Sequence, residues 1–221
     1  MKLRFLGHAC SVLEHDGTAL IIDPFLKDNP LAPLKPADVK VQFILVTHGH
    51  FDHLGDAWEI ARQCRATLVS TAEIARLAQD QGINAHAMHI GGKHDFPFGF
   101  VRITPAFHGA GVPGGHACGF VVGFFGKHFY FPGDTALFGD MRLIGELERV
   151  DVMLPPIGDN FTMGPADAVL AVKMVRPELV IPTHYNTWPL IRQDARRFKE
   201  LVERETGSSV VILDPGDAHE F

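Results

Sequence analysis

The sequence predicts an α/β fold, and three observations support that class. Short segments rich in β-branched and aromatic residues alternate with stretches of helical spacing along the chain. Hydrophobic residues make up 46% of the 221 residues, which suffices for one large domain with a substantial core, or at most for two small ones. Several of the apolar segments end in turns that carry histidine or aspartate. We expect a single domain that spans residues 1–221.

The N-terminal part of the chain predicts a β-meander followed by a buried strand. Asp16-Gly17 is a strong hairpin-turn pair between two apolar segments, and a further apolar segment ends at Asp23-Pro24. A stretch rich in proline and lysine follows, and it is expected to form a surface loop. The predicted strands are residues 2–6, 11–14, 18–22 and 41–46, and the predicted loop is residues 27–40.

The middle of the chain predicts two helices and a hairpin. Apolar residues at helical spacing predict a helix over residues 52–64. Ser70-Thr71-Ala72-Glu73 matches a capping box, and Gly82 is placed to end the helix that follows it. Gly126 is the expected turn of a hairpin. The remaining elements predicted here are a helix at 74–81 and strands at 67–69, 100–103, 118–125 and 127–131.

Strands and helices also alternate in the C-terminal part of the chain. Pro165 is placed as a first-turn proline, and Pro177 stops the same helix. A last amphipathic stretch ends at Gly207. The predicted helices are residues 141–149, 165–176 and 189–205, and the predicted strands are residues 152–154, 179–181 and 209–213.

Charge and cysteine content disfavour several classes of protein. The formal net charge is −6, and basic residues form no run outside residues 192–199, so nucleic acid is not expected as a partner. No apolar run approaches the roughly 18 residues of a membrane span, so no membrane partner is expected. Cys10, Cys64 and Cys118 form no C-x-x-C pair, which fits a reducing, cytoplasmic compartment. A homo-oligomer is left open.

Metal-ligand side chains are concentrated directly after the predicted strand that ends at Val46. Four of them fall within six positions: His48, His50, Asp52 and His53. Gly49 permits the backbone to turn, so that the first two imidazoles converge on one ion while the next two donors reach a second ion beside it. This mixture of nitrogen and oxygen donors suits zinc first, with manganese or iron as alternatives, better than calcium or magnesium.

Three further donors also follow predicted strands, although they lie far apart along the chain. They are His108, Asp134 and His184. Because donors at the same ends of neighbouring strands can converge at one edge of a sheet system, we expect them to join the cluster after Val46. Scattered surface histidines would not show this placement.

These motifs resemble those of the metallo-β-lactamase fold superfamily. The similarity rests on Thr47-His48-Gly49-His50-Phe51-Asp52-His53 and on Asp134 within Gly133-Asp134-Thr135, and the ordered set covers almost the whole chain. Gly7-His8-Ala9-Cys10 and Asp23-Pro24-Phe25 are similar to a narrower branch, the metal-dependent hydrolases related to ascorbate 6-phosphate lactonase. The resemblance implies a four-layer αββα sandwich, in which two mixed sheets face each other with helices outside and the site at one edge.

The resemblance also implies a two-metal ligand set. One ion would be held by His48, His50 and His108, and the second by Asp52, His53 and His184, with Asp134 as the bridge. Class B1 β-lactamases have cysteine where Asp134 stands, and flavo-diiron oxygen reductases have glutamate in place of His50. Antibiotic hydrolysis and oxygen chemistry are therefore disfavoured.

The expected function is that of a metal-dependent hydrolase. Two divalent metal ions and a bridging hydroxide would cleave a small anionic ester, lactone or phosphodiester, because the ions leave the site with excess positive charge. A nuclease acting on nucleic acid is one alternative, and a metal-binding module without turnover is another.

Five further side chains are candidates for supporting roles. Asp52, or a nearby histidine, is expected to carry a proton to the leaving group. His8 ends the first strand and is expected to contact substrate or a ligand, against a simple core hydrogen bond. Asp23 is either a partner of a ligating histidine or a turn residue before Pro24. For His116 and Asp159 the sequence does not decide between a role in the site and a structural role.

Overall fold

The computed structural model describes the whole chain, Met1–Phe221, in fourteen β-strands and six α-helices. The chain divides into two units. The first comprises Met1–Ile90, Gly109–Ala117 and Leu213–Phe221, and the second comprises Gly91–His108 and Cys118–Ile212. The expectation of a single domain stays a prediction.

The first unit contains a mixed seven-stranded sheet. Its strands are β1 (Lys2–Phe5), β2 (Ser11–His15), β3 (Thr18–Ile22), β4 (Phe43–Leu45), β5 (Thr67–Thr71), β6 (Ala85–Met88) and β14 (Ala218–Glu220). The order across the sheet is β14-β1-β2-β3-β4-β5-β6. Pairing is antiparallel from β14 to β3 and parallel from β3 to β6. The parallel strands β3 and β4 place the residues that follow them at the same edge of this sheet.

Three helices belong to the first unit: α1 (Phe51–Leu54), α2 (Ala57–Cys64) and α3 (Ala72–Asp80). The two longer helices are amphipathic, and their apolar faces pack on the sheet. Ile60 of α2 and Ile74 of α3 are fully buried in one cluster with Ile44 and Leu68. Burial of such side chains stabilises the unit by about 1.5–3 kcal/mol for each residue.

The second unit contains another mixed seven-stranded sheet. Its strands are β7 (Lys93–Phe96), β8 (Gly99–Pro105), β9 (Cys118–Phe124), β10 (Lys127–Phe131), β11 (Val152–Met153), β12 (Leu179–Val180) and β13 (Ser209–Val210). The order is β13-β12-β11-β10-β9-β8-β7, antiparallel from β7 to β10 and parallel from β10 to β13. Every residue of β9 is buried, which explains its unbroken apolar sequence.

The helices of the second unit are α4 (Met141–Leu147), α5 (Pro165–Val175) and α6 (Ala195–Glu205). Pro165 is in the first turn of α5, as predicted. Val172 of α5 and Phe198 of α6 are fully buried in one cluster with Tyr130 and Met153 of the sheet. Helices therefore cover the parallel half of this sheet.

The structure corrects the predicted helix over 52–64, which is two helices. The break lies at Gly55, whose φ is 40° and where a Cβ atom would lie 2.4 Å from the carbonyl oxygen of Pro24. The next amide, that of Asp56, donates to the same oxygen at 2.8 Å. This close approach of two backbone segments ends α1 after a single turn.

Two other local predictions were wrong. Ser70 does not cap a helix, since it lies in β5 and its hydroxyl donates to the carbonyl of Val46 at 2.6 Å. The last helix begins at Ala195 and not at residue 189, because Asp194 caps it by accepting two backbone N–H groups. The strands β6, β7 and β14 were not predicted, since they are short and partly exposed.

None of the helices combines the length and the apolar character that crossing a membrane requires.

A charged cluster ties α4 to the antiparallel half of the second sheet. Glu148, at the end of α4, accepts from Lys93 of β7 at 2.9 Å and from Arg102 of β8 at 3.0 Å. The Glu148 side chain is 8% exposed. Burial alone would raise the pKa of Glu148, but the hydrogen bonds and charges of Lys93 and Arg102 lower it below its ordinary value.

We expect Glu148→Gln to lower the free energy of unfolding at neutral pH by about 1–3 kcal/mol, because two cations lose their carboxylate partner. A pKa lowered by folding contributes stability that is full above the pKa of the unfolded chain and is lost as the pH falls through the folded-state pKa. The difference between wild type and variant should therefore shrink in acid. Urea unfolding at neutral and acidic pH measures both effects.

The matched control is Glu205→Gln, which removes an exposed ion pair with Lys173. Its effect should be smaller, since exposed pairs contribute little. An equal loss of stability in the two variants would contradict the assignment of Glu148.

Candidate metal site

Strand β4 leads directly into the histidine cluster of the first unit. The chain leaves the strand through Val46 and Thr47, both of which are fully buried. His50 then occupies the N-cap position of α1, so that Asp52 and His53 lie in its only turn, and both are buried. The short helix that Gly55 terminates thus presents two donors from one turn.

The carboxylate of Asp23 organises the base of this cluster. Asp23 follows β3 and is 1% exposed. Its Oδ1 accepts the Thr47 N–H at 2.8 Å, and its Oδ2 accepts the Thr47 hydroxyl at 2.7 Å. The same Oδ2 lies 2.8 Å from Nδ1 of His53. Asp23 therefore orients His53, as the sequence suggested, and is more than a turn residue before Pro24.

These contacts fix the tautomers of two histidines. An ionised carboxylate only accepts hydrogen bonds, so Nδ1 of His53 carries a proton that it donates to Asp23. The Thr47 hydroxyl has one proton, and it donates this proton in the hydrogen bond to Asp23. Towards His48 it can therefore only accept a hydrogen bond, which comes from Nδ1–H of His48 at 2.9 Å. In both rings the unprotonated nitrogen is then Nε2, the form in which imidazole binds a metal ion.

The distance between the first two histidines suits one shared ion. Nε2 of His48 lies 3.0 Å from Nδ1 of His50. Two nitrogens that bind zinc at about 2.05 Å with tetrahedral angles lie roughly 3.3 Å apart. The His48–His50 pair therefore has nearly the spacing of two ligands on one ion.

A second group of donors in this unit surrounds Asp52. One ligand atom from each of His8, Asp52 and His53 lies within 4.8 Å of the others. Nε2 of His8 is 3.1 Å from Oδ2 of Asp52, and Nε2 of His53 is 3.9 Å from that same oxygen. His8 is 1% exposed and has a φ of 58°, so the backbone is strained where this side chain turns inward.

The second unit brings its three predicted ligands together. Asp134 follows β10 and is 3% exposed. Its Oδ2 lies 3.1 Å from Nε2 of His184 and 3.6 Å from Nε2 of His108. His184 is buried and has a φ of 55°, a left-handed conformation that is uncommon outside glycine. One carboxylate oxygen thus has two imidazoles beside it, an arrangement that fits a metal-bridging carboxylate.

Thr135 is a supporting residue that the sequence analysis did not identify. It is fully buried, and its hydroxyl accepts the Phe107 N–H at 3.0 Å and donates to the carbonyl of Ala136 at 2.8 Å. The Ala136 N–H donates a hydrogen bond to the carbonyl of Phe107 at 3.2 Å. These bonds join the residue before His108 to the residue after Asp134. The signal available in the sequence was the threonine of Gly133-Asp134-Thr135.

The segment around Asp159 is hydrogen-bonded to the backbone of Thr135. The Met163 N–H donates to the carbonyl of Thr135 at 2.9 Å. Asp159 itself is exposed, and its N–H donates to the carbonyl of Met163 at 3.1 Å. Thr162 does not cap α5, since the N-cap position is Gly164.

Cys10 does not take part as a thiolate. Cys10 is fully buried near Asp23, and burial first, then the negative charge of Asp23, raises the pKa of its thiol well above the ordinary value. The thiol is therefore protonated at neutral pH. The groups of donors that lie close enough together to hold an ion contain only imidazoles and carboxylates.

The chain is similar to known proteins. Residues 18–185 match the family model described as "Beta-lactamase superfamily domain". A relative from Natranaerobius thermophilus, named "UPF0173 metal-dependent hydrolase", is 52% identical over 221 residues, and the match covers 100% of both chains. The chain belongs to the metallo-β-lactamase superfamily.

Solved structures confirm the fold of this superfamily hydrolase. Igni18, a metallo hydrolase from Ignicoccus hospitalis, is similar with a TM-score of 0.93 and 38% identity, covering 100% of this chain and 98% of that one. The predicted fold class, an αββα sandwich, and the predicted class of enzyme, a metal-dependent hydrolase, are both confirmed.

The fold alone does not determine the reaction. CmlA, a diiron β-hydroxylase from Streptomyces venezuelae, has a TM-score of 0.79 at 14% identity, covering 100% of this chain and 54% of that one. That likeness shows a shared fold, which hosts unlike chemistries. The hydrolase assignment rests instead on the more similar relatives.

A glycine-rich segment, Gly109–Ala117, packs on the ligand turn of this hydrolase within its first unit. The Gly49 N–H donates to the carbonyl of Ala110 at 2.8 Å. Gly111 has a φ of 68°, and a Cβ atom there would lie 2.4 Å from the carbonyl carbon of Gly49 and from the backbone nitrogen of His50. Only glycine fits at this position without moving His50.

We expect Gly111→Ala to weaken metal binding by at least about tenfold, because the backbone of His50 must shift. Gly114→Ala is the matched control: Gly114 has a similar φ of 71° in the same segment, but nothing lies within 4 Å of its Cβ position. Competition with a chelating dye measures both affinities. An equal loss of affinity in the two variants would show that backbone strain is responsible, and not the close approach of Gly111 to His50. No loss of affinity in Gly111→Ala would contradict the prediction.

Proposed function

We propose that the donors of both units together hold a pair of divalent ions, and that the protein hydrolyses a small anionic ester, lactone or phosphodiester. The proposed ligands are those that the sequence predicted: His48, His50, Asp52, His53, His108, Asp134 and His184. Zinc is the first choice of metal, with manganese or iron as alternatives. The observation that carries the proposal is the Asp23 network, which leaves Nε2 of His48 and of His53 unprotonated.

The donor set fits such ions on its own chemistry. The side chains are imidazoles and carboxylates, the spacing of His48 and His50 suits a shared ion, and Asp134 offers one oxygen to two imidazole neighbours. When bound, two divalent ions supply an activated water near neutral pH and polarise the scissile carbonyl or phosphoryl group. The two ligand carboxylates, Asp52 and Asp134, do not neutralise the charge of two such ions, which favours an anionic substrate.

Asp52 has a proposed role in proton movement, and His8 has a proposed role in positioning Asp52. The Nε2–H of His8 donates to Oδ2 of Asp52 at 3.1 Å, so this nitrogen holds a proton and serves to position Asp52. Asp52 takes up the proton of the attacking water and returns it to the leaving group. The aromatic ring of Phe25, 5.7 Å from the His8 ring, keeps His8 in place.

The purified protein should bind about two divalent ions per chain and should hydrolyse bis(p-nitrophenyl) phosphate or members of a lactone panel. His50→Ala should reduce kcat/KM by at least about a thousandfold, because one ligand and the shared geometry are lost. Elemental analysis and steady-state kinetics measure the two quantities.

The control is His89→Ala, which removes a histidine whose side chain is 61% exposed. It should leave both metal content and turnover unchanged. A metal-loaded wild-type protein that is inert towards esters, lactones and phosphodiesters would overturn the proposal in favour of a binding module without turnover.

A further inference from the structure

The turn that links β11 to α5 reaches the backbone beside both buried ligands of the second unit. Where the turn begins, a Cβ atom on Gly158 would lie 2.2 Å from the carbonyl oxygen of His184 and 3.3 Å from its Nδ1. Where it ends, the Met163 N–H donates to the carbonyl of Thr135, the residue after Asp134, at 2.9 Å. One short piece of chain therefore runs from the support of His184 to the support of Asp134.

Hydrogen bonds within this β11–α5 turn fix its shape. The Asp159 N–H donates to the carbonyl of Met163 at 3.1 Å, and the Thr162 N–H donates to the carbonyl of Asp159 at 3.1 Å. Asp159 and Asn160 have φ values of 60° and 43°, and the Asn160 N–H donates to Oδ1 of Asp159 at 2.9 Å. The Asp159 side chain thus stabilises a left-handed turn that would otherwise be costly.

Gln193 joins the β11–α5 turn to the loop that follows His184. Its Nε2 donates to the carbonyl of Gly158 at 3.2 Å, and its backbone N–H donates to Oδ1 of Asn186 at 2.9 Å. The Asn186 N–H donates to the carbonyl of Ile191 at 2.9 Å, and Ile191 is fully buried. The loop after His184 is therefore closed on itself and anchored to Gly158.

The distance that these contacts maintain is that of two ligands on one ion. Nε2 of His184 lies 3.1 Å from Oδ2 of Asp134. Two donors that bind zinc at about 2.0–2.2 Å with tetrahedral angles lie roughly 3.3 Å apart. A shift of His184 by a few tenths of an ångström would therefore spoil the geometry of the ion.

We infer that Gly158 and Gln193 are positioning residues, which hold His184 at the distance from Asp134 that a metal ion requires. Gly158 does so because it leaves room for the His184 backbone, and Gln193 does so through its hydrogen bond to Gly158. The inference rests on the proposed function and deepens it, since it adds to the ligands two residues that act only through His184.

The test measures the two zinc affinities of Gly158→Ala and Gln193→Met by competition with a chelating dye. Both variants should bind the ion held by His184 at least about tenfold more weakly, because that ring is displaced. The ion held by His48 and His50 should keep its affinity within about twofold. Met keeps roughly the volume of Gln193 but has no N–H to donate, and it serves as the second variant if Gly158→Ala does not fold.

The chain offers a matched control for each variant. Gly139, like Gly158, is outside the left-handed region, but nothing lies within 4 Å of its Cβ position. Gln79 also donates from Nε2 to one backbone carbonyl, that of Ala85 at 3.1 Å, on the exposed surface of the first unit. Gly139→Ala and Gln79→Met should leave both zinc affinities unchanged.

A second measurement on the metal-free protein separates positioning from a general loss of stability. The imidazole nitrogen signals of His184 in NMR spectra should shift in Gly158→Ala and Gln193→Met, while those of His48 and His53 should not. Signals of His184 that stay in place, or an equal weakening of both ions, overturn the inference.

The wild type distinguishes failure of the inference from failure of the proposed function. If it binds two ions and hydrolyses esters while Gly158→Ala and Gln193→Met behave like their controls, the inference alone is wrong. If it binds no pair of ions, the inference is overturned together with the proposed function.

Discussion

The buried carboxylate of Asp23 is the interaction on which the rest of the site depends. It accepts a hydrogen bond from the Nδ1–H of His53 and, through the Thr47 hydroxyl, fixes the ring of His48. A buried carboxylate is costly unless it is fully hydrogen-bonded, and Asp23 meets that condition with three donors from two residues. The same contacts that make its burial tolerable leave both histidines in the tautomer that binds metal.

Thr135 provides the comparable constraint in the second unit. Its hydroxyl and carbonyl connect the backbone before His108, the backbone after Asp134 and the segment that ends at Met163. Ligand positions in both units are therefore set by hydrogen bonds one layer behind the ligands.

Most elements of the fold were predictable, because their apolar periodicity follows from burial on one side of a sheet or helix. The boundaries that failed were set by contacts distant in sequence: α1 ends where Gly55 meets Pro24, and Ser70 bonds to Val46 instead of capping a helix. The candidate ligands were predictable from their placement after strands, and the structure brings His48 near His50 and Asp134 near His108 and His184. Thr135 was not, since its role depends on a partner, Phe107, that only folding brings near.

The most direct test of the central claim is anomalous diffraction from crystals of the zinc-loaded protein, recorded on both sides of the zinc absorption edge. The account predicts two metal peaks, one at about 2.0–2.1 Å from Nε2 of His48 and the other at the same distance from Nε2 of His53. Nδ1 of His48 should remain hydrogen-bonded to the Thr47 hydroxyl, and Nδ1 of His53 should remain hydrogen-bonded to Asp23. A peak on the Nδ1 side of either ring, or no peak near these histidines, would contradict it.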